Sequence, residues 1–204
     1  MNISLPLVSI VMPSFNQADF IQASMDSVLN QSYANIELIV ADGGSTDGTV
    51  EHLKARQAAD PRLRWFSEAD NGPADALNKA FKQARGTYLG WLNSDDLYTD
   101  DAIQRAMQAF DSAPEWLMVY GQGQHIDEHG AIINTYPTKH PDTPIDEFRS
   151  GCFICQPTMF FKRTAWVLLG ELDLSLKTAF DFDYWLRAFS MFQERIGFVD
   201  TVQA

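Results

Sequence analysis

Apolar positions in the first half of the chain follow two alternating patterns. Short, nearly continuous apolar runs predict four buried strands, at Leu7–Met12, Ile36–Ala41, Arg64–Ser67 and Tyr88–Leu92. Apolar residues three or four positions apart predict helices between and after these strands, at Asn16–Asn30, Val50–Ala58, Pro73–Ala84 and Thr99–Phe110. Apolar strands that alternate with helices are typical of a parallel sheet buried on both faces. We therefore predict an α/β fold.

The pattern is less regular after Pro114 and indicates a mixed extension. Its predicted elements are strands at Trp116–Tyr120 and Thr158–Lys162, a hairpin of Gln124–Asp127 and Ala131–Tyr136, and an amphipathic helix at Phe180–Phe192. We interpret residues 1–204 as a single domain. Residues 1–110 form a nucleotide-binding half, and residues 111–204 are expected to hold a second substrate.

The composition narrows the class of protein. With 204 residues, 46% of them hydrophobic, the chain can bury one substantial core, and it has no long apolar run or internal repeat. The formal charge of −12 argues against a nucleic-acid partner, because binding to DNA or RNA needs clustered Lys and Arg. The same charge means that a phosphate-bearing substrate would need a bound cation. We expect no membrane span.

Two cysteines, Cys152 and Cys155, form one isolated CxxC. A structural zinc site needs four ligands, and neither a second CxxC nor a nearby histidine pair supplies the rest. We expect both to be small, half-buried residues. Few cysteines and no recognisable targeting segment predict a cytoplasmic protein.

Two adjacent carboxylates, Asp95 and Asp96, follow the predicted strand Tyr88–Leu92. Open α/β sheets bind ligands at the carboxyl ends of their strands. Hard divalent cations such as Mg²⁺ are often shared between one or two carboxylates and the phosphates of a substrate. The pair therefore predicts a metal site. The alternative interpretation is an N-terminal cap for the helix at Thr99–Phe110.

Four segments, in this order and spacing, carry a resemblance that covers nearly the whole chain: Val8–Asn16, Asp42–Thr49, Asn93–Asp96 and Phe180–Arg187. Together they resemble family 2 glycosyltransferases, inverting enzymes of the GT-A fold that use nucleotide-diphosphate sugars. The resemblance implies a mostly parallel central sheet with helices on both faces, and a hexosyltransferase activity in polysaccharide or glycoconjugate biosynthesis. The implied partners are a nucleotide-diphosphate sugar, with a UDP-sugar favoured, and a sugar or glycan acceptor.

The resemblance also implies which residues bind the nucleotide. Asp42 would accept a hydrogen bond from the base, and the turn after the first strand would direct backbone N–H groups toward an anionic group. Asp95 would contact the ribose and the metal shell, while Asp96 of this DXD-type motif would bind the Mn²⁺ or Mg²⁺ ion that bridges the diphosphate. The implied nucleotide-binding residues are Pro13, Ser14, Phe15, Asn16, Asp42, Asn71, Asn78 and Asp95.

Asp181 is the implied catalytic base, which would deprotonate the acceptor hydroxyl. The family usually has Glu before this aspartate, whereas this chain has Phe180, so Asp183 stays open as the alternative base. Asp183 also lies four residues before Arg187, a spacing that predicts an ion pair on the helix surface. Gln156 is implied to lie beside the donor sugar and the acceptor. The alternative interpretation is a buried glutamine that satisfies backbone groups.

Many relatives continue beyond the point where this sequence ends, into a segment with arginine and histidine, and the sequence leaves open whether the domain is truncated at its C-terminus. Two other functions stay open. One is a non-catalytic domain that binds a sugar nucleotide. The other is a nucleotidyltransferase, which is disfavoured because Pro13–Asn16 stands where such enzymes commonly have a glycine-rich, basic loop.

Overall fold

The computed structural model describes residues 5–204. Its strands are β1 (Val8–Ser14), β2 (Ile36–Asp42), β3 (Leu63–Ser67), β4 (Tyr88–Trp91), β5 (Met118–Gln122), β6 (Gln124–Ile126), β7 (Ile132–Thr135), β8 (Phe160–Lys162) and β9 (Ile196–Val202). Its helices are α1 (Ile21–Leu29), α2 (Thr49–Ala59), α3 (Pro73–Gln83), α4 (Ala102–Ser112), α5 (Arg163–Leu169) and α6 (Phe180–Phe192). Among the helices of residues 5–204, none has both the length and the apolar character that crossing a bilayer requires.

The central sheet has seven strands in the order β3-β2-β1-β4-β8-β5-β9, and β6 pairs with β7 in a separate hairpin. β1 to β4 are parallel to one another, which confirms the predicted sheet type. β8 runs antiparallel to both β4 and β5. Because of this reversal, the chain that enters β8, near residue 156, lies beside the turn that leaves β4.

Both faces of the sheet are buried, as the continuous apolar runs predict. Val11 and Ile39 face the side covered by α3, α5 and α6, whereas Ile10 and Val40 face the side covered by α1 and α4. All four side chains are fully buried. Burial of one such side chain contributes roughly 1.5–3 kcal/mol, so this two-sided core fixes the sheet beneath the functional edge.

Two helices begin later than predicted. Asn16 and Asp101 have φ angles of 53° and 62°, in the left-handed region, where a right-handed helix cannot pass. α1 therefore begins at Ile21 rather than Asn16, and α4 begins at Ala102. The residues that would have been the first helical turns instead form loops at the carboxyl edge of the sheet.

The second half contains two elements that the pattern did not predict, α5 and β9. α5 is only 7 residues long, which is too short for a clear helical periodicity. β9 is buried only at its first residues, so it lacks a continuous apolar run. The predicted hairpin is confirmed with shorter strands, and the strand predicted from Thr158 begins at Phe160 because residues 156–158 form a 3-10 turn.

Glu37 of β2 lies at the amino end of the sheet, where it is buried and fully paired. Its carboxylate accepts hydrogen bonds from Ser9 Oγ at 2.6 Å and Arg85 Nε at 3.0 Å, and it pairs with Arg64 at 3.1 Å. Burial alone would raise the pKa of Glu37. The hydrogen bonds from Ser9 and Arg85, together with the charge of Arg85, outweigh burial and lower it. This group ties together β1, β2, β3 and the chain that follows α3.

Candidate functional site

A cavity of about 430 Å³ lies at the carboxyl edge of the sheet. The end of β1 contributes Ser14, the turn after it contributes Phe15, and the segment before α3 contributes Asp70. Asp95 forms part of the wall after β4, and Phe180 closes the cavity from the start of α6. The structure thus brings the first, third and fourth of the sequence segments around one cavity, as a ligand site at the strand ends requires.

The β1 turn places one polar and one apolar group at this cavity. Ser14 is only 5% exposed, and its Oγ has no hydrogen-bond partner in residues 5–204. A buried hydroxyl without a partner is costly, so a ligand that bonds it would gain affinity. Phe15 is 61% exposed beside it, which leaves an aromatic face free for a flat ligand group. Both features support the predicted nucleotide-binding role of this turn.

The backbone amides of the same turn are already engaged, however. The amides of Asn16, Gln17 and Ala18 each donate to a side chain of the loop after β2 or to Thr49, the first residue of α2, so they are not free to bind an anion. The role predicted for Pro13–Asn16 in binding an anionic group stays a prediction. The three bonds run from Asn16 N to Ser45 Oγ at 2.8 Å, from Gln17 N to Thr49 Oγ1 at 3.0 Å and from Ala18 N to Asp47 Oδ2 at 2.9 Å. Asn16 also accepts from Thr46 N at 2.9 Å, so it joins two loops rather than presenting donors to a ligand.

Asp42 builds the turn after β2. It is 1% exposed, and its Oδ2 accepts hydrogen bonds from the backbone N–H groups of Gly44 at 3.1 Å and Ser45 at 3.0 Å. The hydroxyls of Ser45 and Ser67 also donate to the carboxylate, each at 2.5 Å. These four bonds explain why an acid stands here. Recognition of a base by Asp42 stays a prediction.

Asn71 and Asn78 lie apart from the cavity wall. Asn78 is 2% exposed, and its amide exchanges two 2.9 Å hydrogen bonds with the backbone of Leu172, which fastens α3 to the chain before α6. Asn71 is exposed and donates to Asp75 Oδ2 at 3.2 Å near the start of α3. Both amides serve the local fold. Their role in nucleotide binding stays a prediction.

The turn after β4 carries the acid pair. Asp95 is exposed at the cavity, whereas Asp96 is partly buried behind it. Burial and then the charge of Asp95 raise the pKa of Asp96 to about 6. Neither acid caps α4, whose N-cap residue is Asp101 and has no side-chain capping bond. The alternative interpretation of the pair as a helix cap is therefore wrong.

The fit of this pair to a divalent cation can be judged from its surroundings. Two adjacent carboxylates, one with a raised pKa, form a site that a cation would stabilise. Within residues 5–204, no group of three or more His, Cys, Asp or Glu side chains could hold a metal ion by itself. The residues therefore fit an ion that takes one or two carboxylates from the protein and its other oxygens from a ligand and water.

Asp181 and Asp183 both lie in the first turn of α6, but their surroundings differ. Arg187 Nε donates to Asp183 Oδ2 at 2.9 Å, which confirms the predicted ion pair. Asp181 has no salt bridge to a cation in the part of the chain that the structure describes, and burial raises its pKa. Phe180 stacks on Trp91 with ring centroids 5.6 Å apart, so it anchors this turn beside the cavity.

The two cysteines are free thiols. Cys155 lies near Asp96, and Cys152 lies near Asp181. Burial, followed by the charge of Asp96, raises the pKa of Cys155 to about 12, and burial raises that of Cys152. Such thiols are unreactive at neutral pH. They act as small packing residues, and Cys155 is more deeply buried than expected.

Known structures identify the class of this fold. S. aureus TarS 1–349 in complex with UDP-GlcNAc matches with a TM-score of 0.76 and 17% identity, over 96% of this chain and 57% of that one. The mannosyltransferase PcManGT from Pyrobaculum calidifontis, in complex with GDP-Man and Mn²⁺, matches with a TM-score of 0.72 and 20% identity, over 98% and 57%. The sheet and its helices are those of the GT-A glycosyltransferase fold.

The sequence places the chain within that class. The model of glycosyl transferase family 2 matches residues 9–167, and the chain belongs to this family. Chondroitin synthase from Escherichia coli is 33% identical over 186 residues, which are 90% of this chain and 26% of the relative. The chain thus spans about a quarter of that relative's length. The matched residues of the family model include the acid pair but end before α6 and Asp181.

Proposed function

We propose that this chain is the catalytic domain of a metal-dependent, inverting glycosyltransferase that moves a sugar from a nucleotide-diphosphate donor to an acceptor hydroxyl. The observation that carries the proposal is the composition of one cavity wall. Asp95 of the acid pair and Phe180, the residue before Asp181, line the same cavity. A donor held by the acid pair would therefore have its sugar close to the first turn of α6. We assign the activity to polysaccharide or glycoconjugate synthesis.

The donor is proposed to be a UDP-sugar of the hexose type. TarS binds UDP-GlcNAc and PcManGT binds GDP-Man, and both share this fold. The nucleotide would occupy the cavity beside Ser14 and Phe15, where an unpartnered hydroxyl and an exposed aromatic ring are available. A sugar or glycan hydroxyl would be the acceptor.

Asp95 and Asp96 would hold a divalent cation, Mn²⁺ or Mg²⁺. When bound, such an ion supplies Lewis-acid stabilisation of the charge that develops on a departing diphosphate. The negative charge of the chain supports this assignment, since a diphosphate at this turn would otherwise face two carboxylates and no basic side chain. The presence of Mn²⁺ in the PcManGT complex is consistent with it.

Asp181 is proposed to act as the general base. Its carboxylate would take the proton of the acceptor O–H, and the acceptor oxygen would form a bond to the anomeric carbon. The bond from that carbon to the diphosphate oxygen would break, and the nucleoside diphosphate would leave with the electron pair. Attack from the face opposite the leaving group inverts the anomeric configuration. Burial supports the role, because a raised pKa makes Asp181 a stronger base than an exposed aspartate.

A binding experiment tests the metal and donor parts together. UDP, UDP-GlcNAc and GDP-mannose are added to the protein in MnCl₂ or in EDTA, and the melting temperature is measured. We expect at least one ligand to raise the melting temperature more in Mn²⁺ than in EDTA. Asp96→Ala should abolish this difference, while Asp100→Ala, a change of an exposed acid on the same loop, should keep it. Equal stabilisation in EDTA would refute the metal dependence.

A non-catalytic sugar-nucleotide-binding domain is the second candidate, and one observation favours it. Phe180 stands where the family usually has Glu, and its stacking on Trp91 gives the position a structural use. Such a domain would pass the binding test but release no nucleoside diphosphate from any donor. Measurement of UDP release in the presence of a panel of glycan acceptors distinguishes the two.

A further inference from the structure

We propose that Gln156 is a positioning residue that acts on Asp96 through Asn93. The inference rests on the proposed function, because Asp96 matters here as one of the two acids that would hold a cation. Gln156 was expected beside the donor sugar, yet it does not line the donor cavity, whereas Asn93 does. Its contacts point toward the acid pair instead.

The Asn93 side chain has a hydrogen-bond partner at each polar atom. Trp91 Nε1 donates to Asn93 Oδ1 at 2.9 Å, which fixes the oxygen side of the amide. Asn93 Nδ2 donates to Asp96 Oδ2 at 2.9 Å and to Gln156 Oε1 at 3.0 Å, using both of its hydrogens. An amide held in this way can point in only one direction, and that direction serves the Asp96 carboxylate.

Gln156 itself is fixed by the strand that precedes the acid pair. Its Nε2 donates to the backbone carbonyl of Trp91 at 2.8 Å, so its Oε1 faces Asn93. Trp91, Asn93 and Gln156 therefore form a closed ring of bonds around the turn. Because each polar side-chain atom in the ring has at least one partner, loss of one member leaves the others free to reorient.

This ring sets the orientation of Asp96 before any ligand arrives. Without Gln156, one hydrogen of Asn93 Nδ2 would lack its acceptor, and the amide could rotate away from the acid. Asp96 would then have to be ordered at the moment of cation binding. Groups that orient a metal ligand in this way typically change metal affinity about 10–100-fold when they are removed.

The test compares Gln156→Met with Gln108→Met. Both replace an amide by a thioether of similar length, but Gln108 is exposed on α4, away from the site. UDP affinity is measured by calorimetry in MnCl₂ and in EDTA. We expect Gln156→Met to weaken UDP binding in Mn²⁺ by about 10–100-fold and to leave binding in EDTA unchanged. Gln108→Met should change neither. Gln156→Ala carries the same expectation and needs no room for a longer side chain.

A double-mutant cycle tests the route through Asn93. If Gln156 acts through Asn93, the double variant Gln156→Met with Asn93→Ala should bind Mn²⁺–UDP no more weakly than Asn93→Ala alone. Additive losses would overturn the route, and an equal loss in EDTA would show a direct contact with the donor. If the wild type responds to Mn²⁺ and Gln156→Met keeps that response, this inference alone fails. If the wild type shows no response to Mn²⁺, the proposed metal dependence and this inference fail together.

Discussion

Carboxylates at the two ends of the sheet differ in their partners and in the direction in which their pKa is shifted. At the amino end, Glu37 is buried but bonded by Ser9 and Arg85, and its pKa lies below the ordinary value. At the carboxyl end, Asp96 and Asp181 are partly buried and pair with no cation among residues 5–204, and burial raises the pKa of each. The amino end therefore gains stability from its charge. The carboxyl end gives up stability, and its carboxylates would be available for the ligand and the proton of the proposed reaction.

The largest expected effect is on sugar transfer, from a substitution of Asp181 at the carboxyl end of the sheet. Asp181→Asn should lower sugar transfer by about 10²–10⁴-fold, because the amide cannot accept the acceptor's proton. Donor affinity in Mn²⁺, measured by calorimetry, should stay close to the wild-type value. Asp183→Asn is the matched control, since it makes the same change two residues away. Loss of transfer in Asp183→Asn but not in Asp181→Asn would move the base to Asp183.

A substitution of Glu37, at the amino end of the sheet, should change only the stability of the protein. Glu37→Gln should lower the free energy of unfolding by about 3 kcal/mol, because the neutral amide leaves the charges of Arg64 and Arg85 unpaired and its NH₂ group cannot accept their hydrogen bonds. Urea denaturation at pH 7 measures the difference, with Glu51→Gln on the exposed surface of α2 as the control. Donor binding by the folded protein should not change.

The sign of the pH dependence follows from the lowered pKa of Glu37. A group with a lowered native pKa stabilises the fold above its unfolded value of about 4.5 and loses that contribution as the pH falls. The gap between wild type and Glu37→Gln should therefore be full at pH 7 and shrink below about pH 4.5. A gap that stays constant down to pH 3 would show that packing, not charge, is responsible.

At the other end, removing a charge should stabilise the protein. The pKa of Asp96 is raised to about 6, so Asp96 is ionised at pH 7.5 and its charge lowers the stability of the native state relative to the unfolded chain. Asp96→Asn should increase the stability of the ligand-free protein by at least about 1 kcal/mol, or about 2–4 °C in melting temperature. The same variant should lose the Mn²⁺-dependent gain with UDP. If Asp96→Asn melts lower than both the wild type and Asp100→Asn, the contrast between the two ends fails.

The smallest effect is expected for Asp183. Asp183→Asn breaks an i,i+4 ion pair with Arg187 at the helix surface, which is worth about 0.2–0.5 kcal/mol. Arg187 also donates to the carbonyl of Leu169 at 2.6 Å, so it stays in place. Chemical denaturation should detect little change, and transfer should continue. A loss above about 1 kcal/mol would mean that Asp183 supports more of α6 than this single pair.

The first half of the fold could be predicted because its signals are local. Strands such as Ile36–Asp42 are buried on both faces, so their apolar runs are continuous and easy to recognise. The start of α1 could not be predicted, since Asn16 takes a positive φ to meet the loop after β2. That choice depends on a partner some 30 residues away. Asn78 shows the same limit, because its hydrogen-bond partner Leu172 lies 94 residues away.

In the candidate site, too, local patterns predict some features, whereas contacts between distant residues determine the others. The acid pair stands directly after an apolar strand, and the Asp183–Arg187 pair follows from helical spacing, so both were visible in the sequence. Two facts were not: the engagement of Asp42 by Ser67, and the link between Gln156 and Asn93 across 63 residues. Hydrogen bonds of this kind depend on which strands become neighbours, and no local pattern encodes that.

The antiparallel insertion of β8 has a consequence for the order in which the chain folds. β1 to β4 can pair as successive strand–helix units, but β8 must enter between β4 and β5 from far along the chain. Closing so long a loop costs entropy before any contact repays it, which slows folding. The acidic turn receives Gln156 only when this strand arrives. The backbone amide of Asp96, bonded to Asn93 at 3.2 Å, should therefore gain protection from hydrogen exchange later than the amides of β1 and β2.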